Sequence, residues 1–235
     1  MDSNNILRVS IEGNVSTGKS TFCNYLKEIS SDFTIVEEPL ELWRSVNGHN
    51  LMSNALGGHD LESITNFQHY ALHSVMRAHS MVSPRKFLIT ERCAMTQKEV
   101  FWRALSAQNM MKVETFDTLD RIMMQSDDPY NSRFPDVYVY LREKPEVCFQ
   151  RCQGRGRFEE KEYTLAQFKL MDRLHDSWLL YSVGANDWTA TVVVIDCHGK
   201  TAFDMQDEAR KLSKTLEKLY YEHHGEGDKD TKVNI

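Results

Sequence analysis

The most constraining feature of this chain is a glycine-rich stretch, Gly13–Thr21, which matches the pattern G-x-x-x-x-G-K-[ST] in full. Residues 6–11 before it predict a buried strand, and residues 18–30 after it predict a helix with one apolar stripe. Such a loop folds tightly enough for successive backbone N–H groups to point at phosphate oxygens beside a helix N-terminus. The Lys19 ammonium should reach the β- and γ-phosphates, and the Ser20 hydroxyl should bind Mg²⁺. The motif predicts a nucleoside triphosphate site formed by Gly13, Asn14, Val15, Ser16, Thr17, Gly18, Lys19, Ser20 and Thr21.

Short apolar strands alternate with helical patterns along the rest of the chain. Further strands are predicted at 33–36, 86–90, 136–141 and 191–195. Helices are predicted at 61–82, at 94–126 with a break near 106–109, from Pro145, at 164–183 and at 204–222. This alternation predicts an α/β fold with a five-stranded parallel sheet and helices on both faces. We expect a single domain over residues 1–222, with residues 223–235 as a flexible tail.

Charge and cysteine content restrict the partners and the compartment. The chain has 28 basic and 34 acidic residues, a formal net charge of -6, so we expect neither nucleic acid nor a membrane surface as a partner. No apolar run approaches the ~20 residues that a membrane-spanning helix needs. The five cysteines form no C-x-x-C pair, which favours free thiols in a reducing compartment. We therefore expect a cytoplasmic protein.

Two acidic motifs follow predicted strands, at the edge of the sheet where the phosphate loop also lies. Glu37-Glu38-Pro39 follows the second strand, and Glu91-Arg92 follows the third. Phosphoryl transfer consists mostly of positioning and charge neutralisation, with a base to take the acceptor's proton. Active groups gather at the carboxyl ends of parallel strands, so these carboxylates are candidates for that base and for metal binding.

A series of short motifs around this site resembles the deoxyribonucleoside kinase family. The motifs are Glu38-Pro39 with Trp43, Phe67-Gln68, Glu91-Arg92-Cys93, Tyr140-Leu141-Arg142 and Arg155-Gly156-Arg157-Phe158-Glu159-Glu160. They occur in family order from about residue 6 to residue 181. The family includes deoxycytidine, deoxyguanosine and mitochondrial-type thymidine kinases and a broad-specificity insect enzyme. The resemblance implies a P-loop kinase fold, Mg²⁺ and ATP as cofactor and phosphate donor, a nucleoside acceptor and a homodimer.

The resemblance also assigns roles to matching residues. Glu38 would be the general base on the nucleoside 5′-hydroxyl, with Arg92 beside it, and Glu91 would hold Mg²⁺ together with Ser20. Gln68 would hydrogen-bond the edge of the base, because a planar amide both donates and accepts. The substrate-binding residues it implies are Glu38, Trp43, Phe67, Gln68, Ala71, Arg92, Gln97, Phe101 and Glu160.

The charged stretch over residues 151–163 has the composition of a mobile lid. Arg151, Arg155 and Arg157 lie four and two positions apart, and guanidinium groups can bind transferring phosphates bidentately. By resemblance, Arg155 and Arg157 are catalytic and Arg151 binds ATP. Glu160 matches the family's ligand for the sugar 3′-hydroxyl.

The chain departs from the family pattern at the sugar and base positions. Family members usually share the 3′-hydroxyl between the lid glutamate and a tyrosine before the Phe-Gln pair, yet residues 51–66 contain no tyrosine. Purine-accepting members carry an arginine and an aspartate where this chain has Val75 and Gln97. The sequence therefore favours a pyrimidine nucleoside, thymidine or deoxycytidine.

Two alternatives stay open at this stage. A thymidylate-type nucleoside monophosphate kinase shares the phosphate loop and a Glu-Pro turn, but the acidic pair Glu37 and Glu38 would repel its acceptor phosphate. A non-catalytic nucleotide-binding switch protein would need the phosphate loop without Glu38, Gln68 and the lid arginines together.

Overall fold

The computed structural model describes residues 6–58, 60–125, 134–182 and 190–225. Five strands form one parallel sheet in the order β2-β3-β1-β4-β5. The strands are β1 (Leu7–Glu12), β2 (Phe33–Val36), β3 (Phe87–Glu91), β4 (Val137–Arg142) and β5 (Thr191–Asp196). The predicted α/β fold with a five-stranded parallel sheet is confirmed, and each strand lies within one residue of its predicted position.

Helices cover both faces of the sheet. The helices are α1 (Lys19–Ile29), α2 (Leu40–Arg44), α3 (Leu51–Gly58), α4 (Leu61–His79), α5 (Ala94–Thr96), α6 (Arg103–Ala107), α7 (Val113–Met124), α8 (Pro145–Arg155), α9 (Leu165–Asp176) and α10 (Ala202–His224). A π-helical turn, Gln97–Trp102, joins α5 to α6, and a second one, Ser177–Ser182, extends α9. A short 3₁₀ helix, Phe158–Glu160, lies in the predicted lid.

The central strand β1 is buried along its whole length, although its apolar residues alternate with the polar residues Arg8, Ser10 and Glu12. On one face, Leu7, Val9 and Ile11 pack with apolar residues of α1 and α10. On the other face, the rings of Tyr138 and Tyr140 pack with helices α4 to α9. Apolar cores therefore cover both faces of the sheet. The candidate site lies at the carboxyl ends of the strands.

The structure corrects several predicted helix boundaries. The helix predicted over 61–82 ends at His79, where the Ser80 N–H returns to the Met76 carbonyl before Pro84 is reached. Helices α2 and α3 were not predicted, since each spans eight residues or fewer and neither shows a clear apolar period. The predicted break near 106–109 is confirmed by the gap between α6 and α7.

The last helix is longer at both ends than the predicted 204–222. It begins at Ala202 because Thr201 and Asp204 form a reciprocal capping box, and it ends at His224 before the left-handed Gly225. The first residues of the predicted tail are therefore helical, and residues 226–235 lie outside the described part. Across the described ranges, no helix is both long and apolar enough to cross a membrane.

Candidate active site

The phosphate loop follows β1 and is packed directly against β4. A Cβ atom at Gly13 would lie 2.5 Å from the Leu141 carbonyl oxygen, and Gly13 has a φ of +142°. Gly18 caps α1 with a φ of +105°, and Ser16 also has a left-handed φ of +60°. Both glycines are needed because a side chain at the first would collide with backbone and one at the second would be strained. The loop therefore leads directly into the N-terminus of α1, the arrangement that phosphate-binding loops use.

Lys19 lies buried within this loop. Its ammonium donates to the Gly13 carbonyl at 3.1 Å and to the Asn14 carbonyl at 2.9 Å. Burial, together with repulsion from Arg92, lowers the pKa of Lys19 to about 8, against the attraction of nearby carboxylates led by Glu91. A bound phosphate would favour the charged form of this lysine.

Ser20 and Glu91 meet at the cavity wall, as expected for a pair that shares a metal ion. The Ser20 hydroxyl donates to a Glu91 carboxylate oxygen at 2.9 Å, joining the start of α1 to the end of β3. Both are hard oxygen donors beside the phosphate loop, which is the donor set that Mg²⁺ takes together with substrate phosphates and water. The residues present therefore fit Mg²⁺.

Glu38 and Arg92 form an ion pair across the ends of β2 and β3. One guanidinium nitrogen of Arg92 donates to both Glu38 carboxylate oxygens, at 3.0 and 3.1 Å. The side chains are 12% and 5% exposed, so water screens the pair only weakly. Burial alone would lower the pKa of Arg92. The nearby carboxylates of Glu38, Glu91 and Glu12 outweigh that effect and hold this pKa above its ordinary value. Glu37, by contrast, is exposed and pairs with Lys27.

Arg92 has a strained backbone. Its φ of +65° is left-handed, which costs a residue other than glycine about 1–3 kcal/mol. Its guanidinium lies 5.1 Å from the centre of the Phe101 ring and donates a weak bond of 3.4 Å to the Gly13 carbonyl. The strained residue therefore links the candidate base, the phosphate loop and an aromatic ring that sequence analysis placed in the substrate pocket.

One cavity of about 440 Å³ runs along these groups, a volume suited to a small-molecule ligand. Its charged wall comes from the phosphate loop, the strand ends and the lid. The predicted residues that line it are Val15, Ser16, Gly18, Lys19, Ser20, Thr21, Glu38, Trp43, Phe67, Gln68, Glu91, Arg92, Gln97, Phe101, Arg151, Arg155, Arg157 and Glu160.

The remaining wall of the cavity is apolar or uncharged. The Trp43 ring packs edge-on against Phe67 at 5.5 Å, and the Trp43 indole N–H donates to the Ser74 hydroxyl at 2.8 Å. The Gln68 amide oxygen accepts from the Trp102 indole N–H at 3.1 Å, which fixes the orientation of the amide. This leaves the amide nitrogen of Gln68 as the group suited to donate to a ligand acceptor.

Four predicted residues lie behind the cavity wall. Ala71 is 1% exposed and packs in the apolar cluster of Trp43 and Phe67, so it does not line the cavity in which the prediction placed it. The three others are loop residues whose side chains or backbone brace the loop from behind: Gly13, Asn14 and Thr17.

The lid arginines are already paired with a carboxylate from the lid itself. Arg155 donates to both Glu160 oxygens at 2.8 and 2.7 Å, and Arg157 approaches one of them at 3.4 Å. The Cys152 thiol lies 3.3 Å from the same carboxylate, which is buried. Arg151 instead pairs with Glu143 at 3.2 Å. The structure thus brings the predicted lid residues together but gives Glu160 two guanidinium partners.

A second lid carboxylate, Glu159, anchors the lid to the opposite side of the cavity. It accepts from the Arg44 guanidinium at 2.9 Å and from the Asn50 amide at 3.1 Å. Arg44 ends α2 and Asn50 precedes α3, the two helices that sequence analysis missed. The adjacent residues Glu159 and Glu160 therefore bind different parts of the molecule. The local sequence does not show which glutamate binds which part.

Tyr163 is a cavity-lining residue that the sequence analysis did not select. Its backbone N–H donates to the Glu160 carbonyl at 3.2 Å, and its ring packs against Phe168. Burial, with the negative charge of Glu160 next in size, raises the pKa of this phenol. The one sequence feature that could have indicated this residue is its position as an aromatic residue at the end of the charged lid stretch. Tyr163 places a phenol near Glu160, although residues 51–66 contain no tyrosine.

A phosphate loop at one side of a cavity and an uncharged, aromatic wall at the other fit the class of P-loop kinases. Comparison with known proteins narrows this class. Residues 9–220 match the family described as deoxynucleoside kinase. The chain belongs to the deoxynucleoside kinase family, as the motif series predicts.

Several known proteins are similar to it over most of the chain. Deoxycytidine kinase of Homo sapiens is 30% identical over 203 residues, which cover 75% of this chain and 76% of that protein. A probable deoxycytidine kinase of Fowlpox virus is 26% identical over 219 residues, covering 91% and 86%. Mitochondrial thymidine kinase 2 of Homo sapiens is 28% identical over 178 residues, covering 73% and 64%.

Family membership selects among the three hypotheses from the sequence. It makes the chain a deoxynucleoside kinase, with a nucleoside and ATP as substrates. The thymidylate-type kinase and the non-catalytic switch are therefore set aside.

Proposed function

We propose that this enzyme transfers the γ-phosphoryl group of Mg-ATP to the 5′-hydroxyl of a pyrimidine deoxyribonucleoside. The observation that carries the proposal is the placement of the Glu38–Arg92 pair. It lies on the wall of the same cavity as Lys19 on the phosphate side and Gln68 on the uncharged side. A nucleoside whose base faces Gln68 would direct its sugar alcohol toward Glu38.

Glu38 is the general base of the proposed reaction. Its carboxylate accepts the proton of the 5′-hydroxyl as the oxygen bonds to the γ-phosphorus, and the bond to the leaving ADP oxygen breaks. Arg92 holds the carboxylate through two hydrogen bonds, so it is oriented before substrate binds.

The charge of the transferring phosphoryl group is met from two sides. Lys19 and the loop amides hold the phosphates on one side, while Arg155 and Arg157 on the lid approach from the other. Arg151, also on the cavity wall, binds the donor nucleotide. When bound by Ser20 and Glu91, Mg²⁺ supplies charge neutralisation at the phosphate oxygens.

An uncharged base pocket supports the pyrimidine preference. Within the described residues, every cavity-lining side chain from α2, α3, α4 and the Gln97–Trp102 turn is neutral. Gln97 is on this wall, whereas Val75 is buried in the cluster behind it. The names of the relatives, deoxycytidine kinase and thymidine kinase, agree with this preference. Measuring kcat/KM for the four deoxynucleosides with Mg-ATP tests it, and a purine as the best substrate contradicts it.

Glu38→Gln tests the chemical mechanism. We expect kcat to fall by at least about 100-fold, because an amide cannot accept the proton, while ATP affinity stays within about twofold. Glu37→Gln is the matched control, since it makes the same change at the adjacent, exposed residue that pairs with Lys27. Equal kcat in the two variants would remove Glu38 from the mechanism.

The proposed enzyme is a cytoplasmic homodimer. All five cysteines are free and buried, which supports a reducing compartment. The dimer rests on the family resemblance. Light scattering gives its test, since a dimer has twice the chain mass of 27.3 kDa.

A further inference from the structure

We infer that His79 is a positioning residue, which sets the orientation of Arg92 and through it that of Glu38. His79 is the last residue of α4 and is 1% exposed. Its Nε2 lies 3.0 Å from the backbone carbonyl oxygen of Arg92. The inference rests on the proposed function, because it assumes that the Glu38–Arg92 pair performs the chemistry.

The strained backbone of Arg92 needs a partner at each side. The Arg92 N–H donates to the Ile11 carbonyl at 3.1 Å, which continues the pairing between β1 and β3 for one residue. Its carbonyl has left the sheet, since φ at Arg92 is +65°. The ring of His79 lies where that carbonyl points. Strained conformations persist only where the surroundings fix them, and these two bonds do so here.

The direction of the bond from His79 follows from the chemistry of its partner. A carbonyl oxygen only accepts, so Nε2 of His79 carries the hydrogen. The Thr90 hydroxyl lies 2.6 Å from the same nitrogen and 3.5 Å from the Val9 carbonyl. Thr90 can therefore accept from Nε2 while donating its own hydrogen to β1.

The end of α4 is itself tied to the sheet. An Arg8 guanidinium nitrogen donates to the His79 backbone carbonyl at 3.0 Å, and both residues are buried. A continuous series of hydrogen bonds thus leads from β1 through His79 to the backbone of Arg92. The Arg92 guanidinium then reaches Glu38 at 3.0 Å and stacks on Phe101. His79 does not line the cavity, so it acts on the reaction through Arg92.

The test compares His79→Leu with His79→Gln, alone and combined with Arg92→Lys. His79→Leu removes the donor, and we expect kcat to fall by roughly tenfold with little change in KM, since small misplacements of reacting groups cost rate. His79→Gln keeps an N–H at similar reach and should recover kcat to within about threefold. In the Arg92→Lys background, His79→Leu should cause less than about a twofold further loss, because the residue it positions is already altered.

Leu216→Ala is the control for loss of stability. Leu216 is fully buried on α10, on the opposite face of the sheet, so this variant is destabilised without a change near Arg92. Its kcat, measured well below its unfolding temperature, should match the wild type. If His79→Leu does not fold, His79→Asn takes its place, because its N–H is one methylene too short to reach the carbonyl.

Three results would overturn the inference: unchanged kcat in His79→Leu, equal loss in His79→Gln, or a further tenfold loss on top of Arg92→Lys. Full activity of Arg92→Lys and Glu38→Gln would instead contradict the proposed function. The two failures are therefore distinguishable in one set of variants.

Discussion

At the scale of residues, the phosphate site combines two buried cations with three carboxylates. Lys19 and Arg92 repel each other, while Glu12, Glu38 and Glu91 offset that repulsion. Glu12 accepts hydrogen bonds from Ser10 and Thr96, yet burial still raises its pKa. The charge state of this cluster is therefore sensitive to pH and to a bound triphosphate.

Lys19 makes ATP binding dependent on pH. Its ammonium has a pKa of about 8 without nucleotide, so a growing fraction is neutral above that pH and loses its attraction for phosphate. We expect the dissociation constant for ATP to rise as pH increases from 7 to 9, measured by calorimetry. Lys19→Met should bind weakly throughout and lose most of this slope. A wild-type constant that does not vary with pH would contradict the role of Lys19.

At the scale of elements, the phosphate loop was predictable and the short helices were not. The phosphate-loop motif requires a particular backbone geometry, and Gly13 and Gly18 adopt the positive φ angles that this geometry needs. Helices α2 and α3 are held by long-range contacts, such as the hydrogen bond that Arg44 donates to Glu159, rather than by local periodicity. Sequence could therefore locate the edge of the sheet at which the cavity lies, but not how the lid attaches to it.

Two glycine substitutions distinguish a glycine that is required because a side chain would collide with backbone from one that only lowers helix propensity. Gly13→Ala places a methyl group 2.5 Å from the Leu141 carbonyl, so we expect loss of ATP binding and a lower unfolding temperature. Gly154 lies within α8 with open space around its Cβ position. Gly154→Ala should therefore stabilise the protein by about 0.5–1 kcal/mol. Thermal unfolding checks both, and similar effects of the two variants would contradict the packing described for the loop.

The lid should matter more for turnover than for nucleoside binding. Arg157→Ala removes a charge that is needed as the phosphoryl group transfers, so kcat should fall by about 100-fold while nucleoside affinity changes less than threefold. Lys161→Ala is the control, since this lid cation stacks over Phe158 at 4.7 Å and lies outside the cavity wall. Steady-state kinetics measure both variants. An unchanged kcat in Arg157→Ala would exclude it from the mechanism.

At the scale of the whole molecule, the sequence predicted the sheet and most of the residues that line the cavity, but not the burial of polar groups between the layers. The alternation of apolar strands and helices is enough to specify the layers. By contrast, the positions of Ala71 and Tyr163 depend on which face of an element meets the cavity. His79 and His175 are buried histidines that belong to no recognisable sequence motif. Such residues become interpretable only when packing is known.

His175 links the stability of the molecule to acid. Burial lowers its pKa to about 3, from an ordinary 6.5. Because the folded state disfavours the proton, stability is full above about pH 6.5 and is lost as pH falls toward 3, at about 1.4 kcal/mol per pH unit. His175→Phe keeps the ring stacked on Tyr140 and should reduce this loss. Urea unfolding at pH 7 and pH 5 measures it, and equal slopes in both proteins would contradict this account.

Glu160 has a consequence for selectivity among anions. Its carboxylate already occupies the guanidinium groups of Arg155 and Arg157 before any nucleotide arrives. Any other anion that binds these arginines must displace a carboxylate that lies only a few residues away in the chain. Dilute chloride or inorganic phosphate should compete poorly with it. If Arg155 and Arg157 bind the donor phosphates as proposed, a triphosphate held at its other end by the loop should compete far better. Glu160 would then keep simple anions off the two arginines until the nucleotide binds.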